Sequence, residues 1–300
     1  MKSSGPLVSV IIPTYNHAGF LREALQSVCA QTLSDWEVIV VNNYSEDDTV
    51  EVVESFADAR IRLENFRNKG VIAASRNRGI FLARAKYLAF LDSDDIWYPE
   101  KLERCLTFFK GDVGLVAHGL RWIGEEERDV FCGPSKRATF DALLNGYNCI
   151  TPSAMVVRKD HAVSVGCFPE NPVFITAEDY HFSIKLARAG VNMCFMKEIL
   201  GEYRVHEGNM SASFLRQMDA GLQVFMDLMP VAGVSPLKIW VRIRRRHCVA
   251  YYGVGRALQR RGSFAKSCPM LFRALLYYPF FIRTYAALLY GLLGSLRPRV

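Results

Sequence analysis

Short, continuously apolar segments alternate with amphipathic segments through the first third of the chain, and this order limits the possible folds more than any other feature. The apolar segments that predict strands are 7–12, 37–41, 61–64 and 87–91. The amphipathic segments that predict helices are about 18–31, 47–57, 72–85 and 99–109. A strand that is apolar on both sides needs cover on both sides. The pattern therefore predicts an α/β fold, with a mainly parallel sheet covered by helices on both faces.

The regular alternation loosens after about Val113. A strand over 154–158 and a helix over 179–189 are predicted there among mixed loops. Beyond Asn209 a helical extension is predicted. Proline and glycine mark its expected breaks, which are Pro230, Gly233, Pro236, Gly262, Pro269 and Pro279.

The net charge of +7 is unevenly distributed, since 13 of the 37 Lys and Arg residues, and no Asp or Glu, follow Asp227. Such a basic and apolar tail attracts phosphates, either of anionic lipid or of nucleic acid. The stretch 274–296 is long enough to span a membrane but contains Pro279 and Arg283. We therefore expect helices that lie on an anionic membrane without crossing it. The alternative is a helical subdomain that packs on the preceding domain.

Eight cysteines are scattered singly, without a CxxC pair or zinc-type spacing. They are expected to be reduced thiols of a cytosolic protein. The apolar run 7–12 is too short for a signal peptide core or a membrane span, so that it is predicted to be a strand.

Three carboxylates follow the predicted strand 87–91 in the sequence LDSDD, at the strand end where α/β sheets bind ligands. Asp92, Asp94 and Asp95 repel one another unless a cation offsets their charges. Mg²⁺ or Mn²⁺, held by one or two carboxylates and by substrate phosphate, suits this arrangement. The alternative is that Asp95 or Ser93 only caps the following helix.

Two further segments carry candidate functional side chains. In TAEDYHF, Thr176 is expected to be a helix N-cap, and Glu178 and Asp179 lie in the first turn. They are either ordinary first-turn acids or include a general base. In NKGVIAASRNRG, Arg76 and Arg78 are candidates for binding phosphate or sugar hydroxyls, or for a solvated helix face.

Five ordered segments within residues 7–210 together resemble the motifs of family 2 glycosyltransferases, which have the GT-A fold. The segments are VSVIIPTYNHAGFLREALQSVCAQT, VVNNYSEDDT, NKGVIAASRNRG, FLDSDDIWYPEKL and ITAEDYHFSIKLARAG. The resemblance implies an inverting transferase with a nucleotide-diphosphate sugar donor and a divalent cation, Mg²⁺ or Mn²⁺. It also implies a nucleotide-sugar-binding half over 1–112 and an acceptor-binding half over 113–213, followed by the basic, apolar helical tail 214–300.

The resemblance assigns roles to positions that match the family motifs. Asp179 matches the catalytic base, and Asp92 and Asp94 match the metal-binding pair, with Asp94 the nearer ligand. His206 lies in a segment similar to one that closes over the donor, and it is either a metal or phosphate contact or a structural histidine. The implied donor-binding residues are Pro13, Thr14, Tyr15, Asn43, Arg76, Asp92 and Ser93.

One motif departs from the family pattern, because Asn42-Asn43-Tyr44-Ser45 stands where DDGS is usual. The asparagine oxygen can still accept a hydrogen bond from the nucleobase, but more weakly than a carboxylate. The donor base is therefore open, with UDP favoured and dTDP and GDP as alternatives. Tyr44 also occupies a turn that glycine would ease.

The expected partners are a nucleotide-diphosphate sugar, a saccharide or polyprenyl-linked acceptor, and an anionic membrane surface. The protein is accordingly expected in the cytoplasm, peripheral on the inner face of the cell membrane. No nucleic-acid-binding module is recognisable, and no nucleic acid partner is expected. The competing hypothesis is a catalytically weak sugar-nucleotide-binding subunit of a glycan-assembly complex, which the retained acids of LDSDD and Asp179 argue against.

Overall fold

The structure, a computed structural model, describes residues 5–124, 127–146, 148–206, 214–229 and 234–295. The chain forms two compact units, Met1–Asn209 and Met210–Val300. The first unit is built on one β-sheet with helices, and the described part of the second is helical.

Within the described ranges, nine strands form a single sheet. They are β1 (Val8–Thr14), β2 (Trp36–Asn42), β3 (Ile61–Asn65), β4 (Tyr87–Phe90), β5 (Ile96–Trp97), β6 (Val113–Gly124), β7 (Arg128–Val130), β8 (Met155–Arg158) and β9 (Asn192–Val205). Their order is β3–β2–β1–β4–β8–β6–β9–β5, with β7 paired to β6. The α/β prediction is confirmed, and the five strands predicted from apolar runs are β1, β2, β3, β4 and β8.

The sheet is parallel in its first part and mixed beyond it. The neighbours β3, β2, β1 and β4 all run parallel. By contrast, β8 runs antiparallel to both β4 and β6. In addition, β5 is antiparallel to β9, and β7 is antiparallel to β6. Parallel neighbours need a long crossover connection, and a helix lies between β1 and β2, between β2 and β3, and between β3 and β4. Only three residues separate β6 from β7, which is too short for a crossover.

Helices cover both faces of the parallel part. The helices of the first unit are α1 (Ala18–Cys29), α2 (Thr49–Glu54), α3 (Ile72–Leu82), α4 (Lys101–Thr107), α5 (Phe140–Asn145), α6 (Lys159–Ser164) and α7 (Glu178–Arg188). Val10 and Ile12 of β1 pack in one core cluster with Leu21 of α1. Ile11 points to the opposite face, because side chains alternate along a strand. There a Cβ on Gly79 of α3 would lie 2.4 Å from Ile11 Cγ2, so the glycine lets α3 approach the sheet closely.

The carboxyl ends of β1, β2 and β4 meet at one edge of the sheet, since these strands are parallel neighbours. The segments that leave this edge are 15–17, 43–48 and 91–95. They carry most of the residues that the sequence predicts to contact a donor. The fold therefore brings three separate motifs to one place.

The second unit contains α8 (Phe214–Leu228), α9 (Pro236–Arg260), α10 (Phe264–Tyr277) and α11 (Arg283–Ser295). The predicted breaks at Pro236, Gly262 and Pro279 are confirmed, and Pro230 and Gly233 lie outside the described residues. The predicted break at Pro269 is wrong, because α10 continues through it. Leu271 and Ala274 of α10 are fully buried, and this packing outweighs the one backbone hydrogen bond that a proline removes.

No helix in the described part of the chain has both the length and the apolar character that crossing a membrane requires. The stretch 274–296, considered as a possible span, is divided between α10 and α11.

Candidate active site

The LDSDD motif forms a turn directly after β4, and Asp95 fixes this turn. Asp95 is buried, and its two oxygens accept hydrogen bonds from Ser153 Oγ at 2.5 Å and from the backbone N–H of Arg204 at 3.1 Å. The Asp95 side chain therefore does not cap a helix, and α4 begins only at Lys101. Sequence analysis missed Ser153 because it lies 58 residues away from its partner.

Asp92 and Asp94 lie in the same turn with different partners. Asp92 Oδ1 accepts a hydrogen bond from Arg76 Nη2 at 2.7 Å, and Asp94 Oδ2 lies 3.1 Å from His206 Nε2. Burial, followed by the charge of Asp92, raises the pKa of Asp94. Burial and the charges of both neighbours also raise the pKa of Asp95 well above its usual value. The turn is thus a desolvated site with excess negative charge.

An aromatic cluster lies beside this acidic turn. The ring of His206 stacks on Phe20 with centroids 5.3 Å apart, and His17 lies against both rings. His17 Nδ1 is 3.0 Å from Ser93 Oγ, so that the end of β1 contacts the acidic turn directly. The sequence analysis did not single out His17, although its place after β1 could have identified it.

Arg76 joins the acidic turn to the start of α7. Its guanidinium is buried, and Nη1 donates to Glu178 Oε1 at 2.7 Å while Nη2 bonds Asp92. Burial lowers the pKa of Arg76, but the charges of Asp92 and Glu178 outweigh this effect and raise the pKa above its usual value. Each terminal nitrogen thus donates to one carboxylate, and the predicted contact of Arg76 with the donor remains a prediction.

Asp179 lies beside Glu178 in the first turn of α7 and is 8% exposed. Its oxygens accept hydrogen bonds from the backbone N–H of Tyr180 at 2.7 Å and from Asn148 Nδ2 at 2.8 Å. Burial, followed by the charge of Glu178, raises the pKa of Asp179 to about 7. A carboxylate that titrates near neutral pH can accept a proton from a hydroxyl, which is the property of a general base. Sequence analysis missed Asn148.

The predicted N-cap at Thr176 is wrong. The residue before α7 is Ala177, and Thr176 has a positive φ of 79°, which turns the chain before the helix begins. The Thr176 hydroxyl is buried without a partner among the described residues. Glu178 pairs with Arg76 rather than closing a capping box.

The loops after β1 and β2 carry the other predicted donor residues. Pro13 and Thr14 end β1, and the Tyr15 side chain is about half exposed, at 49%. Asn43 donates its backbone N–H to Thr14 O at 3.0 Å and accepts the Asn68 N–H at its side-chain oxygen at 2.9 Å. Both loops are thereby held together at the edge of the sheet.

The turn after β2 adopts the conformation that glycine favours. Tyr44 has a φ of 57°, in the left-handed region. Asn42 replaces the first acid of the usual motif and is buried, where its side-chain oxygen accepts hydrogen bonds from the backbone N–H and the hydroxyl of Ser45. An amide can therefore hold this turn without a carboxylate.

The described residues include no group of three or more His, Cys, Asp or Glu side chains that could hold a metal ion by themselves. The pair Asp92 and Asp94 still fits Mg²⁺ or Mn²⁺, because these ions can bind through one or two carboxylates together with substrate phosphate oxygens. The raised pKa of Asp94 is consistent with this fit, since a cation would offset the crowded charge.

Known proteins that are similar to this chain are glycosyltransferases. The model of glycosyl transferase family 2 matches residues 9–160. Glycosyltransferase AglE of Haloferax volcanii is 30% identical over 257 residues, covering 81% of this chain and 82% of AglE. The E. coli protein WfgD, a UDP-Glc:alpha-D-GlcNAc-diphosphoundecaprenol beta-1,3-glucosyltransferase, is 29% identical over 257 residues, covering 82% of this chain and 96% of WfgD.

Two solved structures share the fold. The 1–349 fragment of S. aureus TarS in complex with UDP-GlcNAc has a TM-score of 0.64 at 18% identity, covering 96% of this chain and 88% of that one. The mannosyltransferase PcManGT from Pyrobaculum calidifontis, in complex with GDP-Man and Mn²⁺, has a TM-score of 0.62 at 19% identity, covering 98% and 86%. The predicted GT-A fold is confirmed. Since the family model matches more than half of the chain, the protein belongs to glycosyl transferase family 2 and is a glycosyltransferase.

Proposed function

We propose that the protein transfers a sugar, with inversion at the anomeric carbon, from a nucleotide-diphosphate donor to a hydroxyl of a lipid-linked or growing polysaccharide. The observation that supports this most is the buried guanidinium of Arg76. It joins Asp92 of the acidic turn to Glu178, the residue next to Asp179. A single side chain thus holds a candidate metal-binding turn beside a candidate base.

The donor is proposed to be a UDP-sugar that lies along the edge formed by the ends of β1, β2 and β4. Its nucleoside would contact Pro13, Thr14, Tyr15 and Asn43, and its diphosphate and sugar would lie near Arg76, Asp92 and Ser93. The name of WfgD includes UDP-Glc and TarS was solved with UDP-GlcNAc, which favours uridine. PcManGT was solved with GDP-Man, so guanosine remains an alternative.

The cofactor is proposed to be Mg²⁺ or Mn²⁺, held by Asp94 and Asp92 together with the donor diphosphate. The Nε2 atom of His206 is within hydrogen-bonding distance of Asp94 Oδ2. His206 would either orient this carboxylate or contact the metal or phosphate. Bound there, the cation would offset the charge that develops on the leaving nucleoside diphosphate. A complex of PcManGT with Mn²⁺ supports the use of a divalent ion by this fold.

Asp179 is proposed to act as the base. Its carboxylate takes the proton of the acceptor hydroxyl while the oxygen attacks the anomeric carbon opposite the nucleoside diphosphate. The bond between that carbon and the diphosphate oxygen breaks, and its electron pair leaves with the diphosphate. One displacement inverts the configuration, and Asn148 and the Tyr180 N–H hold the carboxylate in place.

This mechanism divides the chain into three parts. Residues 1–112 contain the edge proposed for the donor, and 113–213 contain Asp179 and would bind the acceptor. Residues 214–300 form the basic, apolar tail. We propose that the acceptor is a saccharide, polyprenyl-linked or part of a growing chain, because WfgD is named for a sugar attached to diphosphoundecaprenol.

The tail is proposed to attach the protein to anionic lipid on the cytoplasmic face of the cell membrane, without crossing it. Large apolar side chains are exposed where α10 ends and α11 begins, namely Leu276 (74%), Phe280 (78%) and Ile282 (80%). The segment after Asp227 carries 13 Lys and Arg residues and no acid. Apolar and basic signals together suffice for surface attachment.

Asp179→Asn should lower the rate of transfer by about 10²–10⁴-fold, because an amide cannot accept the proton. The donor should still bind. Transfer of radiolabelled sugar measures the rate, and calorimetry measures the affinity for the nucleotide diphosphate. Asp160→Asn is the control, since Asp160 also lies in the first turn of a helix and accepts the next residue's N–H. Turnover by Asp179→Asn at the wild-type rate would refute the assignment, and a wild type that binds donor without transfer would favour the binding-subunit alternative.

The value of kcat/KM should rise with pH and level off above about 7, because Asp179 is a base only when deprotonated and its pKa is raised to about 7. Asn148→Ala removes an N–H that stabilises the charged carboxylate, so the midpoint should move to higher pH. Asn145→Ala, which removes an exposed bond to the Asp141 carbonyl, should leave the midpoint unchanged. An unchanged profile in Asn148→Ala would contradict this interpretation.

Asp94→Asn should reduce the affinity for UDP in the presence of Mn²⁺ to the level that the wild type shows in EDTA, because the diphosphate loses its bridging cation. Titration calorimetry with and without EDTA measures both. Asp58→Asn is the control, since Asp58 pairs with Arg60 before the amino end of β3, away from the edge that carries the site. A wild-type affinity that EDTA does not change would mean that no metal is used.

Phe280→Ser combined with Ile282→Ser should reduce sedimentation with anionic vesicles at low salt by at least about tenfold, because two large apolar side chains no longer enter the lipid. Phe81→Ser is the control, since Phe81 is 75% exposed on α3 of the other unit. Wild-type protein that stays in the supernatant would disprove membrane attachment. Protein that alkaline carbonate cannot extract would show that the tail crosses the membrane.

A further inference from the structure

A small, partly open pocket lies in the part of the chain that contains the candidate base. Its lining residues are Arg137, Ala142, Leu143, Gly146 and Cys149. They come from the 3₁₀ turn Ser135–Arg137, from α5 and from the segment that follows α5. None of these residues was singled out in the sequence, because no motif marks them.

The walls of this pocket are attached to the first turn of α7. Tyr180, which follows Asp179, donates its hydroxyl to the carbonyl oxygen of Leu143 at 2.6 Å. Asn148, which precedes the lining residue Cys149, donates to Asp179 at 2.8 Å. Two hydrogen bonds, one from Tyr180 to a lining residue and one from the neighbour of a lining residue to Asp179, therefore connect the pocket lining to the start of α7.

Cys149 lies within the electrostatic reach of both Arg137 and Asp179. Burial raises the pKa of the Cys149 thiol to about 11, and the charge of Asp179 raises it as well, whereas the charge of Arg137 lowers it. The guanidinium and the candidate base are therefore both close to this one side chain. The charges of Arg137 and Asp179 therefore both act on one residue of the pocket lining.

The backbone at Gly133 leaves room for the Arg137 side chain. A Cβ at Gly133 would lie 3.0 Å from Arg137 Cδ, and Gly133 has a positive φ of 94° that other residues rarely adopt. The stem of Arg137 thus lies over a position without a side chain. Among the lining residues Arg137 carries the positive charge, and Ala142 and Leu143 supply apolar contacts.

We propose that this pocket binds an anionic phosphate ester of the acceptor, and that Arg137 determines specificity for it. The inference rests on the proposed function, in which the acceptor hydroxyl lies at Asp179. The planar guanidinium matches phosphate oxygens with paired N–H donors. The apolar wall suits the first carbons of an attached chain. The ligand class is therefore a diphosphate or monophosphate ester that joins the acceptor sugar to a lipid.

The test measures binding of farnesyl diphosphate by calorimetry to the full-length protein saturated with UDP and Mn²⁺, so that the donor region is filled. Arg137→Gln should weaken binding roughly 10–100-fold, the range expected from losing a charge-assisted pair of hydrogen bonds. Arg137→Lys should recover part of the loss. Lys136→Gln should stay within about twofold, since Lys136 carries the same charge in the same turn but is outside the pocket lining.

Three comparisons complete the test. UDP affinity of Arg137→Gln should equal that of the wild type, and the variant should still unfold in one cooperative transition, which excludes misfolding. Farnesol should bind much more weakly than farnesyl diphosphate, and inorganic pyrophosphate should show the same dependence on Arg137, which separates the phosphate from the chain. Equal affinity of Arg137→Gln and wild type for farnesyl diphosphate, or no binding by either, overturns the inference. This experiment measures binding and not transfer. Its outcome is therefore independent of the transfer rate measured for Asp179→Asn.

Discussion

The buried guanidinium of Arg76 is the interaction on which the site depends. A charge removed from water is stable only when oppositely charged groups surround it, and removing one partner of such a pair costs about 3–5 kcal/mol. Asp92 and Glu178 supply these groups from the end of β4 and the start of α7. The positions of both motifs are thus coupled, since neither carboxylate can move away without leaving one terminal nitrogen of Arg76 without its carboxylate partner.

The two joined motifs contain more carboxylates than Arg76 can neutralise. Asp94 and Asp95 respond with raised pKa values, and burial with the nearby Glu178 charge raises the pKa of Asp179 to about 7. The crowding thus supports both proposed properties, attraction of a cation at the turn and a base that accepts a proton near neutral pH.

The raised pKa of Asp179 also makes the stability of the fold depend on pH. Because the folded chain holds the Asp179 proton more tightly than the unfolded chain, this group's contribution to stability falls as pH rises from about 4 to about 7.

The local sequence predicted the elements well where one physical signal dominated. The runs that became β1, β2 and β4 are buried on both faces, and continuous apolarity is the signal of such strands. Prediction failed where tertiary contacts outweighed local preference. Pro269 lies within α10 because Leu271 and Ala274 are buried, and Thr176 itself adopts a positive φ before α7 rather than capping it. The antiparallel place of β8 between β4 and β6 also depends on pairing between distant segments.

The sequence by itself determined the fold class and the edge of the sheet at which a ligand is expected, because strand periodicity is a local property. The candidate roles of Asp92, Asp94 and Asp179 came from the resemblance of its ordered motifs to those of the family. It could not show that Arg76 spans 102 residues to reach Glu178, nor that Asn148 bonds Asp179. It also gave no sign of the pocket beside Arg137. Only the tertiary structure decided these features, because burial, charge proximity and the resulting pKa shifts depend on which distant segments pack together.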